Sequence, residues 1–146
     1  MHNRTQGDIG EASAIEWLTT QGALVFVPLF RSPDYDLIAE MAGRLVRIEV
    51  KTSGQLNKLG RWAVAICTRG GNQSWSGTTK RFDPRRCDYL FVHVGDGRRW
   101  FIPAARVEGA TAIVLGWRKY AQFEIEPGPP LPARTRTQAA TTIASP

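Results

Sequence analysis

Cysteine is scarce in this 146-residue chain: Cys67 and Cys87 are the only two, and they show no metal-ligand spacing. A zinc-ribbon scaffold is thereby excluded. Both thiols sit in apolar runs and read as buried and free in a reducing compartment, although their number alone also allows one disulfide. Long apolar runs are missing as well. Stretches such as Ala23–Pro28 fall far short of the ~20 residues that a membrane-spanning helix needs. The opening Met-His-Asn-Arg-Thr-Gln-Gly lacks the apolar core of a secretory signal, so a cytoplasmic protein with no membrane association is expected. Acids are nearly absent from one region. Between Arg44 and Arg86 there are ten Lys/Arg against two acids, Glu49 and Asp83, in a chain whose net charge is +6. A basic block in a chain with five tryptophans suggests a polyanionic partner, most simply nucleic acid.

What is present is enough for one core. Hydrophobic residues make up 42%, which excludes a wholly disordered chain, and the length suits a single domain. Residues 1–126 read as a folded body and 127–146 as a tail. Five of the nine prolines lie in that tail, with no acid and no aromatic, so it cannot offset its ordering entropy and reads as disordered. The body opens with a helix over about Thr5–Gln21, with Ile9, Ala12, Ile15 and Leu18 as its buried stripe and Gly22 as its stop. Glu11 borders that stripe, where a carboxylate is costly unless something pairs with it. Ala23–Pro28 reads as a strand covered on both faces. Tyr35–Glu40 and Arg44–Thr52 read as an antiparallel hairpin, followed by strands over Trp62–Thr68, Asp88–Val94 and Arg98–Pro103. Gly95-Asp96-Gly97 is a hairpin turn, Ala112–Leu115 one more short strand, and residues 69–86 a long loop.

The hairpin carries the chemistry. Side chains alternate along a strand, so burying Leu37 and Ala39 with Val46 and Ile48 fixes the register. That register pairs Glu40 with Leu45, Leu37 with Ile48 and Asp36 with Glu49. Two carboxylates then lie side by side on the opposite face, with Lys51 two residues on. Like charges directly across a sheet repel, and such a pair asks for a proton or a cation. Hard oxygen ligands in small number suit Mg²⁺, and a lysine beside them suits metal-assisted phosphodiester hydrolysis. A face of ordinary salt bridges among Asp36, Arg47, Glu49 and Lys51 satisfies the same pattern.

These residues resemble a known set. Glu11 on an opening helix, Asp36 within Pro33-Asp34-Tyr35-Asp36, and Glu49-Val50-Lys51 resemble the PD-(D/E)xK nuclease superfamily. The segments GDIGEASAIEWLTTQGALVFVPLF, GRLVRIEVKTS, FDPRRCDYLFVHVGDGRRWFIP and GWRKYAQFEI look like its group I intron endonuclease-type branch, over about residues 7–126. The resemblance implies an α/β, restriction-endonuclease-like core: a mixed central sheet flanked by helices, with the site at one edge. It implies that Asp36 and Glu49 bind Mg²⁺, or Mn²⁺, with the carbonyl of Val50. It further implies that Lys51 orients or activates water and that Glu11 reaches the metal through water. Asp34 competes with Asp36 for the acidic role, and its position further from Glu49 ranks it second.

The expected DNA-facing residues are Lys58, Arg61, Arg69, Lys80, Arg81, Arg85 and Arg86, with Asn72, Gln73, Ser74 and Trp75 in the same loop. Trp62, Trp100 and Trp117 fit core packing, and His93 reads as a satisfied structural histidine. Gln55 is a weaker site candidate, and Arg134 and Arg136 offer further phosphate contacts. A Mg²⁺-dependent endonuclease leads, and a homodimer is expected because each strand of a duplex needs its own centre. The alternatives are a Holliday junction resolvase-like nuclease and an inactive DNA-binding module.

Overall fold

A computed structural model describes residues 2–69 and 79–133. Helix α1 (His2–Thr20) is followed by strands β1 (Leu24–Phe26), β2 (Leu37–Met41), β3 (Arg44–Ser53) and β4 (Trp62–Ala65). Then come β5 (Thr68–Arg69), β6 (Thr79–Lys80), β7 (Tyr89–Val94) and β8 (Arg99–Pro103). A 3-10 turn (Ala104–Val107), β9 (Ala112–Leu115), a second 3-10 turn (Ala121–Phe123) and β10 (Glu124–Ile125) complete the order. Six strands form one mixed sheet, β1-β2-β3-β7-β8-β10. Only the central β3–β7 pair runs parallel, and the other pairs are antiparallel.

Strand alternation divides the core in two. On one face Leu37, Ala39, Val46, Ile48 and Phe91 meet Ala14, Trp17 and Leu18 of α1. On the other, Leu90, Val92, Trp100 and Ile102 meet Val64, Ile66, Ile113 and Leu115. That second layer is the β4–β9 ribbon, and α1, on the other face, is the only α-helix among the described residues. The cause is local: around Trp62–Ala65 and Ala112–Leu115 the chain places its apolar residues at strand spacing, and the two stretches zip together antiparallel.

The buried stripe of α1 also differs from expectation. Gly10, Ser13, Ala14, Trp17 and Leu18 face the sheet, whereas Ala12 is exposed and Ile9 and Ile15 lie at the margins. Gly10 decides this. A methyl group there would collide with Thr52 Cγ2 and crowd Val50 Cγ1, so glycine lets the helix lie directly on β3. Gly22, at φ 82°, then ends the helix with its N–H bonded to Thr19 O, as expected.

The first strand is corrected too. β1 is three residues at the edge of the sheet, and Leu24, Phe26 and Val27 are roughly half exposed rather than covered on both faces. Nothing pairs with its outer edge among the described residues. The β2–β3 hairpin keeps the predicted register, Leu37 opposite Ile48 and Glu40 opposite Leu45. Its turn is tight, with Ala42 at φ 49° and Gly43 at φ 75°, the paired positive φ values of a type I′ turn.

The 69–86 stretch is not one free loop. β5 and β6 pair at its start and middle, and Phe82 and Cys87 are buried beyond them. Residues 70–78, with Asn72, Gln73, Ser74 and Trp75, lie outside the described residues. The boundary at Pro127 also moves. Gly128 N–H bonds Gly97 O, Leu131 N–H bonds Gly95 O, and Leu131 is buried, so the chain is docked to that point. Residues 134–146, including Arg134 and Arg136, lie outside the described residues. Both cysteines are free, and Cys87 is buried, which pushes its thiol up to about 12.

Candidate active site

The central strand β3 presents Glu49 and Lys51 on the face away from α1, because they alternate with the buried Ile48 and with Val50. Lys51 Nζ lies 2.9 Å from Glu49 Oε1. Asp36 stands just before β2 and extends its pairing: its N–H donates to Ile48 O at 2.9 Å. Its carboxylate then turns to β3, and Oδ2 accepts the Val50 N–H at 2.7 Å. That bond places Asp36 beside the Glu49-Val50-Lys51 segment.

Electrostatics ties the acids together. Glu49 is 9% exposed, and burial pushes its carboxyl above the usual range; Lys51 opposes this, while the charges of Asp36 and Asp34 add to it. Glu11 is also pushed up, first by burial and then by Asp36 and Asp8, with Arg31 pulling the other way. Asp36 is thus felt by both. Glu11 and Asp36 line one open cleft of about 490 Å³ with Arg4, Asp8, Val27, Pro28, Arg31 and Tyr35. Asp34 is committed elsewhere, in an ion pair with Arg86 at 3.2 Å.

No group of three or more His, Cys, Asp or Glu surrounds a common metal position among the described residues. Mg²⁺, however, takes only one or two carboxylates and keeps several waters. Asp36 and Glu49 fit that need: they repel each other across a half-buried site. The Val50 carbonyl leaves β3 on the same side as its N–H, toward Asp36, since both groups of a strand residue point one way.

The expected DNA-facing cations are not equally free. Lys58 and Arg81 are exposed. Arg61 lies over the Trp117 ring at 4.6 Å, Arg85 pairs with Asp83 at 3.0 Å, and Arg86 pairs with Asp34. The side chains of Arg69 and Lys80 lie outside the described residues. Trp100 is buried in the core and Trp62 packs against it, while Trp117 is only half-buried. Gln55 lines a separate cleft of about 770 Å³ with Gln6, Thr52 and Trp62.

His93 is a satisfied structural histidine. Its Nε2–H donates to Pro129 O at 2.7 Å, because a carbonyl only accepts, and Nδ1 then accepts from the Ser13 hydroxyl at 2.7 Å. Beside it the buried Arg99 donates to Glu16, Ser13 and the carbonyls of Glu126 and Pro127. This network holds the 126–129 segment against α1. Sequence reading missed it, and missed Arg4 and Arg31 in the cleft. The available signal was the placement of Arg31 five residues before Asp36, on the loop leading to it.

A mixed central sheet with one helix against it defines a restriction-endonuclease-like fold. The match to known families agrees: residues 1–118 match the PD-(D/E)XK endonuclease family, and the chain belongs to it. A solved structure described as a bacterial homing endonuclease, I-Ssp6803I, is similar at 22% identity and a TM-score of 0.59, covering 84% of this chain and 81% of its own. That likeness shows the fold. None of the curated proteins searched matches the chain. No helix among the described residues is long and apolar enough to cross a membrane.

Proposed function

We propose that this chain is a Mg²⁺-dependent DNA endonuclease of the group I intron endonuclease-type branch, with Mn²⁺ able to substitute. It hydrolyses phosphodiester bonds to 5′-phosphate and 3′-hydroxyl ends. The observation that carries this reading is Glu49, a buried carboxylate held at 2.9 Å from Lys51 and within the field of Asp36. Asp36, Glu49 and the Val50 carbonyl would hold the ion, which when bound supplies a Lewis acid for the phosphate oxygen. The protein's own groups do the rest. Lys51 donates hydrogen bonds that orient the attacking water and offers a fixed cation to the charge that develops on the phosphate. Glu11, which lines the cleft with Asp36, would reach the ion through water. Lys58 and Arg81, exposed on the surface, supply phosphate contacts. Cutting both strands requires two such centres, and a homodimer provides them.

The test is plasmid nicking by purified protein with Mg²⁺ or EDTA, beside Glu49→Ala. Nicking that needs the metal and vanishes in the variant supports the reading; nicking that persists in either control overturns it. Comparing linear duplex with a four-way junction separates an endonuclease from a resolvase-like enzyme.

A further inference from the structure

The loop joining β1 to β2 forms one wall of the cleft that holds Glu11 and Asp36, through Val27, Pro28, Arg31, Ser32 and Pro33. Between the wall residues Pro28 and Arg31, Leu29 and Phe30 stand 89% and 83% exposed. Large apolar side chains this bare, next to half-exposed Phe26 and Val27, mark a surface that something covers. Two cations line the same cleft. Arg31 lies on the loop, and Arg4 lines the cleft from α1. Arg47, Arg85, Arg86, Arg98 and Arg99 are all in ion pairs, whereas Arg4 and Arg31 form none with the described residues.

Position decides the occupant. Arg4 and Arg31 line the same cleft as Asp8, Glu11 and Asp36, so a partner that reaches them also meets the carboxylates. Val27 and Pro28 belong to the cleft wall as well as to the apolar tip, so whatever covers the tip also borders the carboxylates. A nucleic acid strand being cut does this without closing the cleft.

We propose that this loop is a DNA-docking element. Arg31, with Arg4 across the cleft, grips the phosphate next to the one cleaved, and Leu29 and Phe30 wedge into the neighbouring base stack. Apolar wedges unstack a step and bend or unwind the duplex, which here carries the backbone toward Glu11 and Asp36. The inference rests on the endonuclease reading, and the test keeps the two apart.

A short labelled duplex is titrated in EDTA across a salt series, and plasmid unwinding is read from topoisomers after relaxation with topoisomerase I. Arg31→Ala should weaken binding about fivefold to tenfold and lower the salt slope by about one, and Arg31→Lys should restore the slope. The double variant Leu29→Ser/Phe30→Ser should keep the salt slope, weaken binding about tenfold and abolish unwinding. Unchanged binding and unwinding in these variants would overturn the proposal. So would a double variant that binds DNA normally but falls from multimer to monomer by light scattering, which assigns the patch to a second copy. A wild-type protein that unwinds but never cleaves, with both variant effects present, removes the endonuclease reading and leaves the docking element standing.

Discussion

Replacing Glu49 with glutamine should separate what the fold wants from what the chemistry wants. Glu49 is 9% exposed, and its carboxyl is pushed above its ordinary value of 4.5 by burial first, with Asp36 and Asp34 adding to it. The native protein therefore holds that proton more tightly than the unfolded chain does. Stability contributed by Glu49 is greatest at low pH and falls as pH rises from about 4.5 through the raised folded value. Glutamine keeps the shape and can still accept a hydrogen bond from Lys51 through Oε1. It gives up the ion pair, but the Lys51 side chain is 24% exposed and can recover water. Removing a desolvated charge on these terms stabilises by about 1 kcal/mol, or about 3 °C in a domain of this length. Thermal melts in EDTA should show Glu49→Gln melting above wild type at about pH 8, with the gap closing by about pH 4. Plasmid nicking in Mg²⁺ should fall at least about 100-fold in the same variant. A variant less stable than wild type by a margin that grows with pH, or one that still cleaves, would refute the reasoning.

Lys51→Met should also abolish cleavage, by about 100-fold or more, and should destabilise the protein more at high pH, where Glu49 is left ionised beside Asp36. Nicking assays and melts over pH read both effects. Ala42→Gly should raise stability by about 0.5–1 kcal/mol in denaturant titrations, because φ 49° at Ala42 is strained for a residue with a Cβ. His93 is held neutral, its pKa pushed down chiefly by burial, so its contribution is full above its ordinary 6.5 and is lost as pH falls below that value. Melts of His93→Gln should lose less stability than wild type between about pH 7 and pH 5.

How much of the site was legible follows from the physics of each part. The β2–β3 register was readable because a strand has a period of two: once Leu37, Ala39, Val46 and Ile48 are buried, one register remains. His93 was readable as structural, since a histidine inside an apolar strand must find partners there. The α1 stripe was misjudged because an apolar count cannot see that Gly10 is a contact point, where the missing side chain sets the face. The covered strand expected over Ala23–Pro28 is an exposed edge, because composition does not distinguish a covered run from an uncovered edge. The basic block was visible as charge, but not the fact that Arg61, Arg85 and Arg86 are engaged within the protein.

The amino-acid order by itself determined the local alternation and the β2–β3 register, and therefore that Glu49 and Lys51 share one face of β3. These depend on neighbours a few residues apart, and short-range sterics and burial settle them. Only the tertiary structure decided that Glu11 joins Asp36 in one cleft, that Asp34 is taken by Arg86, and that Arg4 and Arg31, without an ion pair among the described residues, line that same cleft. Those facts depend on how α1 lies across β3 and on which loops meet at the sheet edge, and no periodicity along the chain encodes that distance.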